Sequence, residues 1–367
     1  MKIGFDVSAV GATSPGIGRY IVELETALRA ATTPGTLVRL SHRSADAGPS
    51  LPSRRVWTHL ALPAWLPRSG LDLVHYPGHD GPLVGRMPSV VTIHDLSWLT
   101  QPQLHRWRRV ARSRLVVGPL ARRAVAVIVP SEATAAAVNA KLGIERRRIH
   151  ITPLAAAAAF RPVDASEARA ITARLGVSDG GFLFVGTIEP RKNVAGVLDA
   201  LAILRGDGGA GAAGRDARLA VVGEPGWSVS LPEEVARRGL RPAVTWLRRV
   251  GDAELAGLMS GATALIAPSL DEGFGLPVVE AMAVGLPVIT SVFGAQAEVA
   301  GDAALTVDPG NPGAIASAMR AILETPSRAA ELRARGLARA ATFSWARTAR
   351  ETLAVYHSVM DGAVGWA

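Results

Sequence analysis

Short β-branched and aliphatic runs alternate along the chain with longer segments whose apolar positions recur at helical spacing. In the first half "IGFDVSAV", "LDLVHY", "SVVTIHDL" and "AVAVIVPS" read as buried parallel strands, because they are near-continuously apolar. The segments between them, such as "GRYIVELETALRA" and "EATAAAVNAKLG", have helical spacing. The second half repeats the scheme, with "FLFVGTI", "RLAVVGE", "ATALIAPS" and "LPVITS" as strands. Its helices include "NVAGVLDALAIL", "DAELAGLMSG" and "LPVVEAMAVG". Alternation of this kind predicts an α/β fold of two doubly wound, Rossmann-like domains. A joint near Phe160-Arg161-Pro162 divides the chain into residues 1–162 and 163–343. The remaining segment, 344–367, carries an amphipathic helix ("FSWARTARETLAVYHSVM") expected to pack back on the N-terminal domain. A Gly/Ala-rich stretch at 206–216 reads as a surface insertion.

Composition narrows the class. The chain has 367 residues, 49% hydrophobic and only 19% charged, enough to bury two ordinary cores. It has no cysteine, which removes disulfides, thiol chemistry and cysteine metal sites. Met1 leads straight into a buried-strand pattern, and no apolar run reaches the roughly 18 residues of a membrane span. A cytoplasmic protein is expected. Charge is one-sided: residues 1–180 hold 23 Lys+Arg against 12 Asp+Glu, whereas residues 181–367 hold 17 against 19. Such a field attracts an anionic partner. The segment 105–123 is crowded with arginine, carries Trp107 and contains no acid. It reads equally as a solvated helix face or as a contact for an anionic membrane surface. Nucleic acid is not expected as a partner, since no nucleic-acid module is present.

Candidate chemistry concentrates in a few strings. In "LDEGFGLPVVEAMAVGLPV" (270–288) Pro277 suits a helix start, and Gly285 followed by Pro287 its end. The glycines Gly273 and Gly275 permit close backbone approach, and amides aimed into a helix N-terminus form an anion site. Glu280, one turn into that helix, and Glu272, before the glycines, are placed to accept hydrogen bonds from hydroxyls. In "FLFVGTIEPRKN" (182–193) a strand leads to a helix starting near Asn193, with Arg191 and Lys192 directly before it. Two cations at a helix N-terminus are unfavourable unless an anion such as a diphosphate lies between them. "SPGIGRYIVEL" (14–24) is a glycine loop with Gly16 and Gly18, but Ile21 stands where a dinucleotide fingerprint needs its third glycine. In "VVTIHDLSWL" His94 follows a buried strand, at the end where open α/β sheets bind ligands. Asp95 reads as structural, and His75 and His79 as loop residues. No D-x-D triplet, a common carboxylate pair for holding a divalent metal, occurs.

The string from Glu272 to Ile289 resembles the E-x7-E signature of the retaining nucleotide-sugar glycosyltransferases of family 4, which have the GT-B fold. "GTIEPRKN", "SPGIGRY", "TIHDL" and "VGDAEL" are similar to further segments of that family, so the resemblance spans nearly the whole chain. It implies two Rossmann-like domains facing a cleft. It further implies that Arg191 and Lys192 hold the donor diphosphate and that Gly273, Phe274, Gly275 and Leu276 offer amides to it. Glu280 would hold the ribose and Glu272 the sugar, with His94 beside the transferred sugar. Gly16 and Gly18, with Arg19 behind them, would approach the phosphate. Val250, between Arg249 and Gly251, would meet the nucleobase. No metal or other cofactor is expected.

The resemblance implies hexosyl transfer to a glycan or lipid-linked acceptor with retention. GDP-mannose or a GDP-deoxyhexose is the favoured donor, with a UDP-sugar as the alternative. Three other readings compete. A hydrolase working through Glu272 and Glu280 would have no use for Arg191-Lys192. A non-enzymatic anionic-surface binder would explain the basic first half but not the paired motifs of the second. A GT-B sugar-nucleotide epimerase should not carry the E-x7-E string so fully.

Overall fold

The computed structural model describes residues 1–11, 15–43, 48–206 and 214–362. Most of the Gly/Ala-rich stretch at 206–216, and Ser14 of the glycine string, therefore lie outside the described residues. The chain forms two compact units, one of Met1–Leu154 together with the segment from Ser344 onward, the other Ala155–Phe343. The division falls after Leu154, not near Pro162. Ala155, Ala157 and Phe160 are already buried, and the Val163 amide donates to Ser260 Oγ at 3.2 Å.

The first unit is built on a parallel sheet of six strands, β1 (Ile3–Asp6), β2 (Leu37–Leu40), β3 (Leu73–Tyr76), β4 (Ser89–Thr92), β5 (Ala126–Val129) and β6 (Ile149–Ile151). Their spatial order is β2-β1-β3-β4-β5-β6. Strands β1, β3 and β5 are buried at every residue, which is why they read as unbroken apolar runs. The helix Pro15–Ala31 turns Tyr20, Ile21, Leu24 and Leu28 into the core, an apolar stripe at helical spacing. It packs against the C-terminal helix Trp345–Met360. Ser344 caps that helix by accepting from the Arg347 amide at 3.2 Å, and Thr348 Oγ1 donates to Pro153 O at 2.6 Å. One connection departs from the doubly wound pattern: residues 77–88, between β3 and β4, contain no helix.

The second unit has its own six-stranded parallel sheet, β7 (Phe182–Val185), β8 (Leu219–Val222), β9 (Val244–Leu247), β10 (Ala264–Ala267), β11 (Val288–Ser291) and β12 (Leu305–Val307). The order is β12-β11-β10-β7-β8-β9. Counted within the unit this is the 3-2-1-4-5-6 order of a dinucleotide-binding sheet. Phe182, Phe184, Val197, Leu201, Ile289 and Met319 lie in its core. In open sheets of this kind ligands bind beyond the carboxyl ends of the strands, where the strand order reverses. Here that point lies between β7 and β10.

Candidate active site

The loops that leave β7 and β8 touch backbone to backbone. A Cβ on Gly223 would lie 1.9 Å from Gly186 O, and one on Gly226 2.5 Å from Ile188 O, so only glycine fits. Trp246 Nε1 fixes the same turn by donating to Gly223 O at 2.9 Å. Beyond it the chain makes a 3₁₀ turn, Pro190–Lys192, that carries both cations of the sequence motif. Asn193 follows with φ 59° and ψ 35°, a left-handed conformation that asparagine tolerates. Its Nδ2 donates to Pro268 O at 3.1 Å and Pro309 O at 2.7 Å. Its own carbonyl accepts from the Val197 amide at 3.2 Å, which starts the helix Val194–Gly206. Asn193 thus stands at the helix start, but its side chain ties loops together.

The loop after β10 is laced to that turn, with the Leu270 amide donating to Arg191 O at 2.8 Å. Glu272 then meets both cations. Its Oε2 accepts from Arg191 Nη1 at 2.8 Å, and its Oε1 accepts from Lys192 Nζ and from Ser269 Oγ, the latter at 3.2 Å. Arg191 also donates through Nη1 to Asp271 O at 2.8 Å and through Nε to Glu189 Oε1 at 3.0 Å. Burial pushes the Glu272 carboxyl up, but Arg191 and Lys192 outweigh it and hold it down at about 2. Two cations and two carboxylates thus form one shielded, charge-balanced set, with side chains only 5–15% exposed.

The helix after Glu272 has the expected boundaries. Gly275 precedes it at φ 95°, Pro277 lies in its first turn, and it runs Leu276–Val284. Gly285 closes it at φ 78°, and the Leu286 amide returns to Ala281 O at 2.8 Å. Glu280 is in the second turn and only 3% exposed. Gly273 is buried, and Leu276 is half-buried at the helix start. Phe274 packs edge-on against Phe343, ring centres 5.7 Å apart. Val250 is half-buried after β9, next to exposed Arg249. The Gly251 amide donates to Glu254 Oε2 at 2.9 Å, so the turn there is closed by its own helix.

In the first unit, His94 follows β4 and its Nε2 lies 2.7 Å from Pro77 O. A carbonyl can only accept, so Nε2 carries the proton and Nδ1 is the acceptor of a neutral ring. Burial keeps it neutral, lowering its pKa to about 4, with His79 adding to the effect. Tyr20 packs edge-on at 4.6 Å and His79 at 5.8 Å between ring centres. His79 is in a loop as expected, at φ 45°. His75 is not: it lies in β3, fully buried, with Nδ1 2.6 Å from Tyr356 OH and Nε2 2.8 Å from Thr92 Oγ1. Its apolar neighbours Val74 and Tyr76 extend the strand through it. Asp95 accepts from the Ser97 amide and hydroxyl at 3.0 and 2.7 Å, a structural turn. Gly16 and Gly18 fall in the first turn of the helix Pro15–Ala31 instead of a loop, and a Cβ on either would meet nothing within 4 Å. Packing among the described residues thus does not require glycine at either position.

Two family descriptions match this chain, "Glycosyl transferases group 1" over residues 176–339 and "Glycosyltransferase Family 4" over residues 14–156. The O-antigen chain mannosyltransferase B of Escherichia coli is 31% identical, over 81% of this chain and 77% of its own length. The chain belongs to this glycosyltransferase family. A D-inositol 3-phosphate glycosyltransferase of Nocardioides sp. is 36% identical, over 54% of this chain and 45% of its own length. Anabaena HepE, solved in complex with UDP-glucose, is similar in structure, with a TM-score of 0.77 over 98% of this chain and 100% of that chain at 18% identity. The fold is GT-B.

Several residues of this candidate site carried no signal in the sequence. Glu189 stands inside the string "GTIEPRKN" and holds Arg191, and Ser269 and Gln296 brace the loop after β10. The structure brings Arg191, Lys192 and Glu272 together; His94, Gly16 and Gly18 belong to the other unit. Among the described residues no cluster of three or more His, Asp or Glu is arranged to hold a metal ion. No helix among them is long and apolar enough to cross a membrane.

Proposed function

We propose that this glycosyltransferase moves a hexose from a nucleotide sugar to a glycan or lipid-linked acceptor with retention at the anomeric carbon. GDP-mannose or a GDP-deoxyhexose is the preferred donor, in keeping with the mannosyltransferase among its relatives. The observation that carries the reading is the meeting of Arg191, Lys192 and Glu272 beyond the carboxyl ends of β7 and β10. A diphosphate placed on the two cations competes with the Glu272 carboxylate, and frees it to accept from the sugar's hydroxyls. Glu280 holds the ribose hydroxyls, with the Gly273–Leu276 backbone beside the phosphates. The cations stabilise charge that builds on the departing diphosphate, the largest single demand of the reaction. The bond from the anomeric carbon to phosphate oxygen breaks, the acceptor oxygen bonds on the same face, and the leaving phosphate takes the acceptor's proton. His94 acts as a neutral ring whose Nδ1 accepts a hydroxyl hydrogen.

The decisive test is nucleotide release from a panel of GDP- and UDP-sugars by the wild type, Arg191→Ala and Glu280→Gln. Release from one GDP-sugar, reduced about 100-fold or more in both variants, is expected. Release from UDP-glucose alone would replace the donor assignment, and absence of binding to every donor would sink the reading. The anomeric configuration of the product by NMR tests retention. Because Arg191 and Lys192 supply the positive charge, we also propose that transfer needs no divalent cation. EDTA should leave the rate unchanged; a loss restored by magnesium would overturn this.

We assign the acceptor side a peripheral contact with an anionic membrane, at the cytoplasmic face. The helix Trp107–Arg123 exposes Trp107 (73%) and Leu115 (70%) among Arg108, Arg109 and Arg114. Arg112 is partly neutralised by Asp80 at 3.4 Å. Arg108→Glu/Arg109→Glu should abolish sedimentation with phosphatidylglycerol vesicles. Unchanged sedimentation would remove the assignment.

A further inference from the structure

The helix-free connection 77–88 has a consequence at the other end of the first sheet. A parallel crossover ordinarily lays a helix across the sheet face. Here a loop returns instead, and a cavity of about 450 Å³ lies beneath it. Its apolar lining includes Leu66, Met87 and Leu120, and its polar lining is dominated by Arg86, Arg122, Arg123, Arg147 and Arg148. The volume falls in the range of about 300–1,000 Å³ usual for small-molecule sites. It opens beside Ser89, Val125 and Arg148, which precede or begin β4, β5 and β6. His94 follows the opposite end of β4, roughly 15 Å of extended chain away. The cavity is therefore separate from the site assigned to transfer.

The arginines are not held equally. Arg123 donates to Leu83 O and Gly85 O, which pins the loop, and Arg148 Nη2 donates to Ala124 O and to Arg122 O, the latter at 2.8 Å. Backbone carbonyls orient these guanidinium groups without cancelling their charge. Glu145 is the only acid in the lining, and it is taken by Arg147 at 2.5 Å. Arg86 and Arg122 form no ion pair among the described residues. Five guanidinium groups around one opening, with one carboxylate between them, leave a strong positive field over an apolar floor. Arginine forks match phosphate oxygens two at a time.

We propose that this cavity binds a phosphate monoester or diphosphate carried on an apolar body, as a second site apart from the donor site. Such chemistry could come from a soluble prenyl-type phosphate or from a phosphomonoester lipid headgroup. The test is calorimetry on the full chain with geranyl phosphate, geraniol and inorganic phosphate, alongside sedimentation with phosphatidylcholine vesicles with and without phosphatidate. Each probe is applied to the wild type, to Arg86→Glu/Arg122→Glu, and to Arg55→Glu/Lys141→Glu, which makes the same charge change away from the cavity. Geranyl phosphate should bind, more tightly than geraniol or inorganic phosphate, and lose about tenfold or more in the cavity variant alone. If only phosphatidate vesicles show that arginine dependence, the ligand is the lipid headgroup. The proposal fails if neither phosphorylated probe binds, if both variants lose binding equally, or if inorganic phosphate binds as tightly as geranyl phosphate. Unchanged urea midpoints and nucleotide-sugar binding verify that the variants are folded.

Discussion

Glu272 is stabilised as an anion by neighbours that are far from it in sequence, Arg191 and Lys192. Replacing it by glutamine takes the carboxylate from Lys192 and one of two carboxylates from Arg191, which keeps Glu189 and the Asp271 carbonyl. Breaking a shielded set of this kind should cost about 3 kcal/mol, read as a lowered urea midpoint with an unchanged slope. The sign with pH follows from its carboxyl, held at about 2 against an ordinary 4.5. Its stabilisation is complete above pH 4.5 and is lost as the pH falls toward 2, a slope the variant should lack. At this scale the motif residues were legible because strings such as "EPRKN" and "DEGFG" combine residue types that no helix or strand would choose for packing. Glu189 and Tyr356 were not legible. A buried acid beside a cation, or a phenol reaching a histidine in a distant strand, carries no local signature.

Strands and helices were legible to different degrees for physical reasons. The central strands announced themselves because burial on both faces demands continuous apolar residues. Leu37–Leu40, whose two middle residues are half-buried, and the three-residue Ile149–Ile151 at the sheet edge gave no comparable run. The helix Leu276–Val284 was bounded correctly by Pro277 and Gly285, since both act through local backbone geometry. The helix Pro15–Ala31 begins earlier than its glycines suggested, because Gly16 and Gly18 are tolerated in a first turn. Gly223 had no visible role in the sequence, yet it is where two loops meet. Gly223→Ala would drive a Cβ to 1.9 Å from Gly186 O, so one loop must move. A loss of about 3 kcal/mol or more is expected, with weakened donor binding because the displaced loop leads to Arg191. Wild-type stability in this variant would show that the loops are not tightly packed.

The two units should differ in their response to acid. In the first, burial lowers His75 to about 3 and His94 to about 4, both below the ordinary 6.5. The unfolded chain therefore takes up protons that the folded unit refuses, and stability falls as pH drops from 6.5 toward 4. Asp6, raised by burial to about 6, opposes them as a single group between its two values. In the second unit Glu272 holds until far lower pH. Hydrogen exchange at pH 5 should thus report opening in the first unit before the second, and the reverse order would contradict these environments. Removal of residues 344–362 should act on the same unit, exposing the buried face of helix Pro15–Ala31 and stripping Tyr356 from His75. Loss of protection should be confined to the first unit, with the second sheet unaffected.

The return of the helix Trp345–Met360 to the first unit also sets an order of events during synthesis. The polypeptide for β1 to β6 leaves the ribosome early, but the element that covers Tyr20 and satisfies His75 is made only after residues 155–343. At about 5–20 residues per second that is a wait of roughly 10–40 s. During it the second unit can complete its own sheet from contiguous chain, while the first must hold an unfinished hydrophobic face. The unit Ala155–Phe343 is therefore expected to mature first, and the unit built on β1 to β6 to need protection by chaperones until the helix Trp345–Met360 has been made.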